Sequence, residues 1–457
     1  MTDTNGSTRR DFLKTSAVAA GVALSANLVA SRMAHAAGSD ELKIGLVGAG
    51  GRGSGATAQA LNTSNSVSLV GVADAFEDRA KSAVDRFKKD RPGQVAVKDT
   101  TTFAGFDAYK RVLDLNPDMV ILATPPGFRP MHFEAAVAAG RNIFMEKPVG
   151  TDAPGIRRLL AANEEAKKKN LKIGVGLQRH HQQKYIDTIK KIHDGEIGDI
   201  ILLRVYWNGT RPWVRRRTEG MTEMEYQMRN WYYFTWLCGD HICEQHIHNL
   251  DVANWVMKGP PAEAQGTGGR QLPFGPDQGE IYDHHMVEYT YPNGTKMLSM
   301  CRHQAGCWNA VSEFAHGTKG MADISGGRIT FNDGRPEWRY KAAEAAAGEA
   351  GGNRRRGNGD PDPYQVEHNA LFAAIRNNTP HNEAEYGASS SMTSILGRMA
   401  TYSGQVVTYK DALARGEELM PKNFAWDAEP PVKPGPDGIY PCAMPGQTQV
   451  LVPAKKA

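Results

Sequence analysis

Residues 42–53 read LKIGLVGAGGRG, an apolar run that ends in four glycines within six positions. The apolar half predicts a buried strand, and the residues from Ala56 to Leu61 predict the helix that follows it. Gly48 permits a tight turn, Gly50 lets a phosphate approach the backbone, and Gly53 allows the helix to pack closely on the strand. This order is typical of a dinucleotide-binding unit, in which the amino end of the helix faces a pyrophosphate.

A second apolar run, Val67 to Ala73, ends at an acidic residue. This residue is Asp74, which lies 21 residues after Gly53. A carboxylate at that spacing accepts hydrogen bonds from both hydroxyls of a ribose and repels the 2′-phosphate of NADP. The pattern therefore predicts NAD as the cofactor, with NADP less favoured. A glycine-rich loop beside a solvated aspartate is the alternative.

Three more short apolar runs continue this domain: Met119 to Ala123, Asn142 to Met145 and Lys172 to Leu177. They alternate with helical segments, which predicts a doubly wound parallel sheet whose ligands lie beyond the carboxyl ends of the strands. The residues at strand ends that we expect at the ligand site are Asp74, Thr124, Pro125, Glu146 and Lys147.

The pattern of the strands changes beyond residue 198. Ile200 to Tyr206, Met286 to Tyr291 and Lys296 to Met300 predict three strands, and the turn sequence PNGT joins the last two. An antiparallel sheet therefore follows the parallel one. The predicted fold class is α/β, with a Rossmann-type doubly wound parallel sheet and a carboxyl-terminal α/β domain whose sheet is open and largely antiparallel.

The sequence Glu146-Lys147-Pro148, with the glycine turn and Asp74 upstream, resembles the glucose-fructose oxidoreductase, inositol dehydrogenase and rhizopine-catabolism (Gfo/Idh/MocA) family. The resemblance extends over roughly residues 41–410. It implies that Lys147 sits beside the nicotinamide and the substrate hydroxyl. It also implies an active site between two domains and an open sheet that mediates contacts in a homo-oligomer.

The densest group of polar residues lies at 239–257, GDHICEQHIHNLDVANWVM. If this stretch is a single helix, five residues repeat at spacings of three and four and share one face that lies outside the core. They are Asp240, Glu244, His248, Asp251 and Trp255. The stretch from His248 to Asp251 resembles the family's His-x-x-Asp motif, which implies that His248 takes the proton of the substrate hydroxyl. Glu244 stands where the family usually has aspartate, and we expect Glu244 or Asp251 to orient the imidazole.

The predicted chemistry is the oxidation of a secondary alcohol. It needs a base at the hydroxyl, a cation near the developing alkoxide and a nicotinamide near the carbinol hydrogen. His248 can serve as the base because an ordinary imidazole titrates near neutral pH, and Lys147 can supply the cation. A purely structural histidine is the alternative for His248. The predicted catalytic residues are Lys147, His248 and Glu244.

Further residues are predicted to bind the two ligands. Those assigned to the cofactor are Gly48, Gly50, Gly51, Arg52, Gly53, Asp74, Thr124, Pro125, Glu146, Lys147 and Gln178; weaker candidates for the substrate are His181, Trp213, Arg215 and Asp251. Gln178 and His181 follow the last parallel strand. Trp213 and Arg215 lie in RPWVRRR, where aromatic rings can stack on pyranose faces and guanidinium groups can bond to hydroxyls. An oligomer contact or a solvated loop explains that stretch equally well.

Histidines near the predicted site suggest a metal as an alternative. The residues concerned are His241, Glu244, His246, His248, His284 and His285. A zincin needs His-Glu-x-x-His with its histidines four apart, but His241 and His246 are five apart. We therefore predict no metal, although histidines on several segments can still converge.

The first residues have the features of an export signal. The sequence TRRDFLK at 8–14 precedes 16 small or apolar residues, Thr15 to Ala30, and an Ala-x-Ala site at 34–36. These features predict a twin-arginine signal, export by the twin-arginine machinery and a periplasmic protein that starts near Ala37. The apolar stretch is shorter than the roughly 20 residues of a membrane span, so we expect no stable membrane anchor. The predicted organisation is a signal at 1–36, an NAD-binding domain at 41–180, a substrate and oligomerisation domain at 181–425 and an extended surface tail at 426–457.

Charge and cysteine content limit the remaining possibilities. The formal charge of the 457-residue chain is +4 at pH 7, and this near-neutrality gives no reason to expect a nucleic acid partner. Five cysteines without a CxxC pair do not imply a disulfide framework, although one bridge remains possible in an oxidising compartment.

The sequence thus predicts a periplasmic, NAD-dependent oxidoreductase that acts on a secondary hydroxyl of a sugar, glycoside or cyclitol. Because NAD is made and recycled in the cytoplasm, we expect a tightly bound cofactor that is recycled on the enzyme. The alternatives are a glycosidase that works by oxidation, elimination and reduction, a metal-dependent hydrolase, and a non-catalytic protein that binds NAD or sugar.

Overall fold

The first sheet is parallel and has six strands. In chain order they are β1 (Leu42–Val47), β2 (Val67–Asp74), β3 (Thr102–Ala104), β4 (Met119–Leu122), β5 (Asn142–Met145) and β6 (Ile173–Val175). Their order in the sheet is β3-β2-β1-β4-β5-β6, so the direction of winding reverses between β1 and β4. Dinucleotides bind at such a reversal in doubly wound sheets, beyond the carboxyl ends of the strands.

Helices connect these parallel strands. They are α1 (Gly51–Asn62), α2 (Glu77–Asp90), α3 (Ala108–Asp114), α4 (Arg129–Ala138) and α5 (Ala153–Lys168). The central strands carry apolar residues on both faces because helices cover both: Ile44 and Leu46 of β1 are fully buried. Helix α5 begins where the sequence contains a capping residue, since the Asp152 carboxylate accepts a hydrogen bond from the Gly155 N–H at 2.7 Å.

The computed structural model describes residues 41–272, 275–342 and 359–453. The predicted export signal at residues 1–36 lies outside the described residues. From Lys43 onward the chain forms one unit that holds both sheets. Within the described ranges, none of the helices combines the length and apolar character needed to cross a bilayer.

The second sheet has nine strands. They are β7 (Ile200–Gly209), β8 (Glu263–Gly269), β9 (His284–Thr290), β10 (Lys296–His303), β11 (Ala310–Gly317), β12 (Gly320–Asp323), β13 (Arg328–Phe331), β14 (Trp338–Arg339) and β15 (Val407–Thr408). Their order is β14-β13-β12-β11-β7-β10-β9-β8-β15, and every neighbouring pair is antiparallel except β7 and β10. The predicted fold class, a Rossmann-type sheet followed by a largely antiparallel sheet, is confirmed.

Helices cover one face of the second sheet. Strand β10 alternates between buried and half-buried positions along its whole length, as expected for a sheet with one covered face. The covered face packs against a long helix, Ala384–Ser403, most of whose side chains are buried. Ile201 near the start of β7 and Trp308 in the connection between β10 and β11 are 58% and 62% exposed.

The helices of the second domain correct one prediction. They are α6 (Gln183–His193), α7 (Glu223–Arg229), α8 (Thr235–Cys238), α9 (His241–Glu244), α10 (Ile247–Met257), α11 (Pro363–Asn377), α12 (Ala384–Ser403) and α13 (Tyr409–Arg415). Residues 239–257 form two helices and not one, because Gln245 and His246 separate α9 from α10. Asp240, with a φ of 74°, lies before α9 and outside both helices. The expected polar face does not exist: Asp240 and Asp251 are 0% and 2% exposed.

The last described residues contact the second domain at a few points. Residues 426–453 contain no helix, and most of them are at least partly exposed, but Tyr440 and Val450 are 2% and 4% exposed. The Tyr440 hydroxyl lies between two side chains of the second domain: it donates to the Glu223 carboxylate and accepts a hydrogen bond from Arg217 at 3.1 Å. All five cysteines have free thiols.

Candidate active site

The glycine turn after β1 leaves room for a phosphate and for little else. Gly48 has a φ of 97°, and a Cβ there would lie 2.5 Å from the backbone of Ala123 and Thr124. A Cβ on Gly53 would lie 2.0 Å from the Gly48 carbonyl oxygen, so helix and turn pack without space for a side chain. At Gly51, the start of α1, a Cβ would meet no atom of the described residues within 4 Å, so its surroundings are open. This combination fits a pyrophosphate at the amino end of α1.

Asp74 ends β2 beside this turn. Its carboxylate accepts hydrogen bonds from the Ala49 N–H at 2.8 Å and from the Phe76 N–H at 3.0 Å. Burial raises the pKa of Asp74, and these two backbone donors oppose that rise by stabilising the charged form. The carboxylate is therefore fixed at the edge of the glycine turn, where a Rossmann fold binds the ribose.

A cavity of about 350 Å³ extends along the ends of these strands. It is lined by predicted cofactor residues, namely Gly48, Gly50, Gly51, Arg52, Asp74, Thr124 and Pro125. Trp213 and Arg215, which we predicted as substrate residues, line this same cavity. The structure therefore places them beside Asp74, at the dinucleotide cleft.

Two buried side chains that the sequence analysis missed connect the ends of β4 and β5. Arg129, 1% exposed, donates to the Glu146 carbonyl oxygen at 2.9 Å and to the Thr124 carbonyl oxygen at 2.7 Å. His132 bonds through Nδ1 to the Thr124 hydroxyl at 3.2 Å, and burial, with the charge of Arg129, lowers its pKa to about 3. Their position on α4, the helix directly after Thr124-Pro125-Pro126, is a signal that could have identified them.

A third connection joins the glycine turn to the later strands. The Arg52 guanidinium donates to the Glu146 carboxylate at 2.7 Å and lies 4.8 Å from the ring centre of Tyr364. The Tyr364 hydroxyl accepts a hydrogen bond from the Gln178 side chain at 3.1 Å. Three predicted cofactor residues, Arg52, Glu146 and Gln178, are thus brought together around Tyr364, which the sequence analysis did not identify.

Lys147 and Glu244 form the polar centre between the two domains. Lys147 follows β5, and its ammonium donates to the Glu244 carboxylate at 3.0 Å and to the Glu244 backbone carbonyl. The side chains are 12% and 16% exposed, so neither is well solvated. Glu244 is the last residue of α9, and a cation at a helix carboxyl end interacts favourably with unpaired carbonyls. Burial raises the pKa of Glu244, and Lys147 opposes that rise.

His248 lies one turn further along the chain, in the first turn of α10. Its ring stacks on Trp207 of β7, with centroids 5.8 Å apart and planes at 22°. Burial lowers the pKa of His248 well below its usual value, and the charges of Lys147 and Arg179 lower it further. The imidazole is therefore neutral at pH 7. Its Nδ1 is buried, and no group of the described residues forms a hydrogen bond with it.

The expected orientation of His248 by a carboxylate is wrong. Glu244 binds Lys147, and Asp251 accepts hydrogen bonds from His180 at 2.9 Å and from Ser390 at 2.8 Å. Asp251 lies in α10 three residues after His248, but its carboxylate is taken up by His180 and Ser390.

His181 is placed in a separate contact. It bonds to the Glu383 carboxylate at 3.0 Å, and the other Glu383 oxygen accepts from the Val175 N–H at 2.8 Å. Both side chains are mostly buried, at 13% and 11% exposure. His181 therefore connects the end of β6 to the start of α12.

One cluster of potential metal ligands exists within the described residues. Asp240, His241 and His285 are fully buried, and one ligand atom from each lies within 4.8 Å of the others. The Asp240 carboxylate already accepts hydrogen bonds from the Tyr402 hydroxyl at 2.6 Å and the Tyr282 N–H at 3.0 Å. The larger histidine set does not converge, because Glu244 binds Lys147, His246 binds Ser299, and His248 stacks on Trp207.

Fold and cleft together define a two-domain oxidoreductase of the dinucleotide-binding class. Residues 42–176 match the oxidoreductase family with an NAD-binding Rossmann fold, and residues 186–323 match the GFO/IDH/MocA carboxyl-terminal domain. The chain belongs to the Gfo/Idh/MocA family, which confirms the predicted family and its NAD-binding domain.

Known relatives resemble the chain to different extents. An inositol 2-dehydrogenase of Klebsiella pneumoniae is 32% identical over 219 residues, which are 47% of this chain and 54% of that relative. The chain thus spans little more than half the length of the curated relatives it matches. A levoglucosan dehydrogenase bound to NADH and levoglucosan has a TM-score of 0.63 at 18% identity, covering 81% of this chain and 100% of its own. An aldose-aldose oxidoreductase from Caulobacter crescentus has a TM-score of 0.61 at 16% identity, covering 80% and 99%. These two likenesses show the shared fold.

Proposed function

We propose that the protein is an NAD-dependent oxidoreductase that acts on a secondary hydroxyl of a sugar, glycoside or cyclitol. The observation that carries the proposal is the position of Lys147 after β5, where its ammonium binds Glu244 of the second domain and its charge acts on His248. The neighbouring residue Glu146 binds Arg52, which lines the cofactor cavity. The cleft fits NAD: Gly51 is open, Gly48 excludes side chains, and Asp74 presents a carboxylate that two backbone N–H groups hold in place.

Each residue has a defined task in this reaction. Bound NAD supplies the acceptor for the hydride of the carbinol carbon. His248, which is neutral, takes the hydroxyl proton. Lys147 places a positive charge where the alkoxide develops, and Glu244 positions the ammonium by accepting its hydrogen bond at 3.0 Å. Glu244 is a positioning residue in this scheme.

The substrate class is supported by the names of the relatives. One acts on inositol and another binds levoglucosan, an anhydro sugar, so both carry ring hydroxyls. Trp207 stacks on His248 and so places an aromatic surface beside the proposed base.

We propose further that the enzyme is exported with NAD bound and that the cofactor is reoxidised on the enzyme. The support is the TRRDFLK sequence at 8–14, since folded proteins with cofactors are the cargo of this pathway. Replacing Arg9 and Arg10 by lysine should keep the protein in the cytoplasm. Fractionation that finds the variant in the periplasm at the level of the unmodified protein would contradict the export proposal.

The test is to purify the protein without added cofactor, measure the nucleotide it retains, and follow the absorbance of reduced nicotinamide during addition of inositols, sugars and glycosides. Retained NAD that becomes reduced by one class of substrate supports the proposal. Release of the aglycone of a glycoside without net reduction of NAD would favour the glycosidase alternative. Absence of nucleotide, with no binding when NAD is added, would overturn the proposal.

The cluster of Asp240, His241 and His285 supports a second candidate, a metal-dependent hydrolase. All three side chains are fully buried, so a metal there would have no exposed face for a substrate. Hydrolysis that is abolished by a chelator, together with stoichiometric metal and no effect of Asp74→Ser, would favour this candidate over the oxidoreductase.

A further inference from the structure

A segment near the carboxyl terminus packs behind the wall of the cofactor cavity. We call residues 419–432 the C-terminal aromatic segment. The ring of Trp426 lies 4.6 Å from that of Phe106 and 5.2 Å from that of Phe76. The ring of Phe424 lies 5.4 Å from that of Phe128 and 6.0 Å from that of Phe106. All three contacted phenylalanines line the cavity.

Hydrogen bonds attach this segment to both domains. The Leu419 N–H donates to the Asp152 carboxylate at 2.8 Å, on the side of the parallel sheet. On the other side, the Thr222 hydroxyl donates to the Trp426 carbonyl at 2.5 Å, and the Gln227 side chain donates to the Val432 carbonyl at 2.8 Å. The segment therefore bridges the domains at the same place where its rings contact the cavity wall.

The second domain completes the wall from another direction. Trp213 and Trp231 line the cavity and meet edge to face, with centroids 5.9 Å apart. The Arg229 guanidinium lies 4.0 Å from the centre of the Phe76 ring, on which Trp426 also packs. Phe76 is only 7% exposed as a result. Its ring is fixed between the second domain and the C-terminal aromatic segment, and it cannot move without displacing one of them.

The place of this wall in the cleft indicates what it contacts. Phe76 follows Asp74 by two residues, and Phe106 follows β3, the strand next to β2. In a Rossmann fold, the adenosine half of the dinucleotide lies beyond the acidic residue at the end of the second strand. Aromatic rings at that place stack on or flank a purine.

We propose that the C-terminal aromatic segment retains NAD between catalytic cycles by fixing Phe76 and Phe106 around the adenosine half of the cofactor. This inference rests on the proposed function, because it requires NAD in the cleft. Trp426 and Phe424 are positioning residues: they do not line the cavity themselves and act through the phenylalanines that do. Attachment of the segment to both domains then keeps both phenylalanine rings in place, which slows release of NAD. An exported enzyme that cannot draw on a pool of NAD needs such retention.

The experiment measures release of NAD from the purified full-length protein. Bound NAD is exchanged against an excess of a fluorescent adenine-modified NAD, and the dissociation rate is compared for the unmodified protein, Trp426→Ala and Phe424→Ala. We expect release to be at least about tenfold faster in both variants, because affinity differences between related complexes lie mostly in dissociation rates. With saturating NAD, kcat should change by less than about twofold.

Three further variants make the test specific. Trp308→Ala removes a tryptophan that is 62% exposed in the connection between β10 and β11, and it should release NAD at the unmodified rate. Trp426→Phe keeps an aromatic ring and should release NAD slowly. If Trp426→Ala does not fold, Trp426→Leu also removes the aromatic ring and should release NAD as fast as expected for Trp426→Ala. Unchanged release in Trp426→Ala and Phe424→Ala, from a protein that does bind NAD, would overturn this inference and leave the proposed function intact. An unmodified protein that binds no NAD would overturn both.

Discussion

The ammonium of Lys147 lies 3.0 Å from a carboxylate oxygen of Glu244, and it also donates to the backbone carbonyl of the same residue. Two hydrogen bonds to one residue fix the cation more tightly than a single surface ion pair would, since both side chains are mostly buried. The end of β5 and the end of α9 are thereby joined at the point where the substrate hydroxyl is proposed to bind.

Replacing Lys147 by methionine should remove hydride transfer while NAD stays bound. The charge that stabilises the alkoxide is lost, and removal of one such electrostatic group costs about 10²–10³ in kcat. Stopped-flow reduction of bound NAD measures the step directly. Lys98→Met, at an exposed position in the same domain, is the control and should react like the unmodified enzyme. Turnover of Lys147→Met near the unmodified level would remove Lys147 from the mechanism.

Two conservative variants of Glu244 can distinguish its role from that of Lys147. Glu244→Gln keeps a hydrogen-bond acceptor but removes the charge, whereas Glu244→Asp keeps the charge and shortens the side chain by one methylene. If Glu244 acts by positioning the ammonium, both variants should lower kcat, by about tenfold, and leave the affinity for NAD unchanged. An effect on NAD affinity as large as that on kcat would assign Glu244 to the cofactor site.

His248 should be neutral far into the acid range. Burial and the charges of Lys147 and Arg179 lower its pKa, so in the free enzyme it should protonate only well below pH 6.5. The acid limb of kcat/KM should accordingly lie below that value, and His248→Asn should lower kcat by about 10²–10⁴-fold. Removing the charge in Lys147→Met should raise the pKa of His248, which NMR of labelled histidine can follow without any activity. An unchanged pKa would show that the two groups do not interact.

The sequence predicted the parallel sheet and the glycine turn because each depends on local spacing. The roles of Lys147 and His248 follow from the family resemblance and stay predictions. The sequence could not predict that Asp251 pairs with His180, since that contact joins residues 71 positions apart. The same limit applies to Trp426, whose neighbours Phe76 and Phe106 lie over 300 residues earlier in the chain. A proline-rich stretch without helical or strand periodicity predicts only an extended chain. Its position on the fold follows from long-range packing of aromatic rings, which the local pattern does not encode.

Asp74 should determine the choice between NAD and NADP. Its carboxylate is fixed by the Ala49 and Phe76 N–H groups and repels a 2′-phosphate. Asp74→Ser should weaken NAD binding by about 10–100-fold, because a hydrogen bond to a charged group is lost. The variant should also have a smaller preference for NAD over NADP. Calorimetric titration with both nucleotides measures this. Asp85→Ser, an exposed position on α2, serves as the matched control. A ratio of NAD to NADP affinity that does not move would contradict the assignment of Asp74.

Buried histidines should make the protein labile to acid well before its carboxylates are protonated. Three buried histidines have a pKa that burial, as the main cause, lowers to about 3. They are His132, His246 and His368. The unfolded chain binds these protons near pH 6.5 and the folded chain only near pH 3. The stabilisation is therefore complete above pH 6.5 and is lost as the pH falls from 6.5 towards 3.

Each such histidine should reduce the free energy of unfolding by about 1.4 kcal/mol per pH unit within that window. His368→Asn keeps a donor for the Tyr364 carbonyl, to which His368 Nδ1 bonds at 2.9 Å, but cannot titrate. Urea unfolding at pH values from about 7 to about 5 should therefore show a shallower loss of stability for His368→Asn, whatever its stability at neutral pH. Equal slopes for His368→Asn and the unmodified protein would mean that His368 takes up its proton at the same pH in the folded and unfolded states, and that its burial does not exclude the charge.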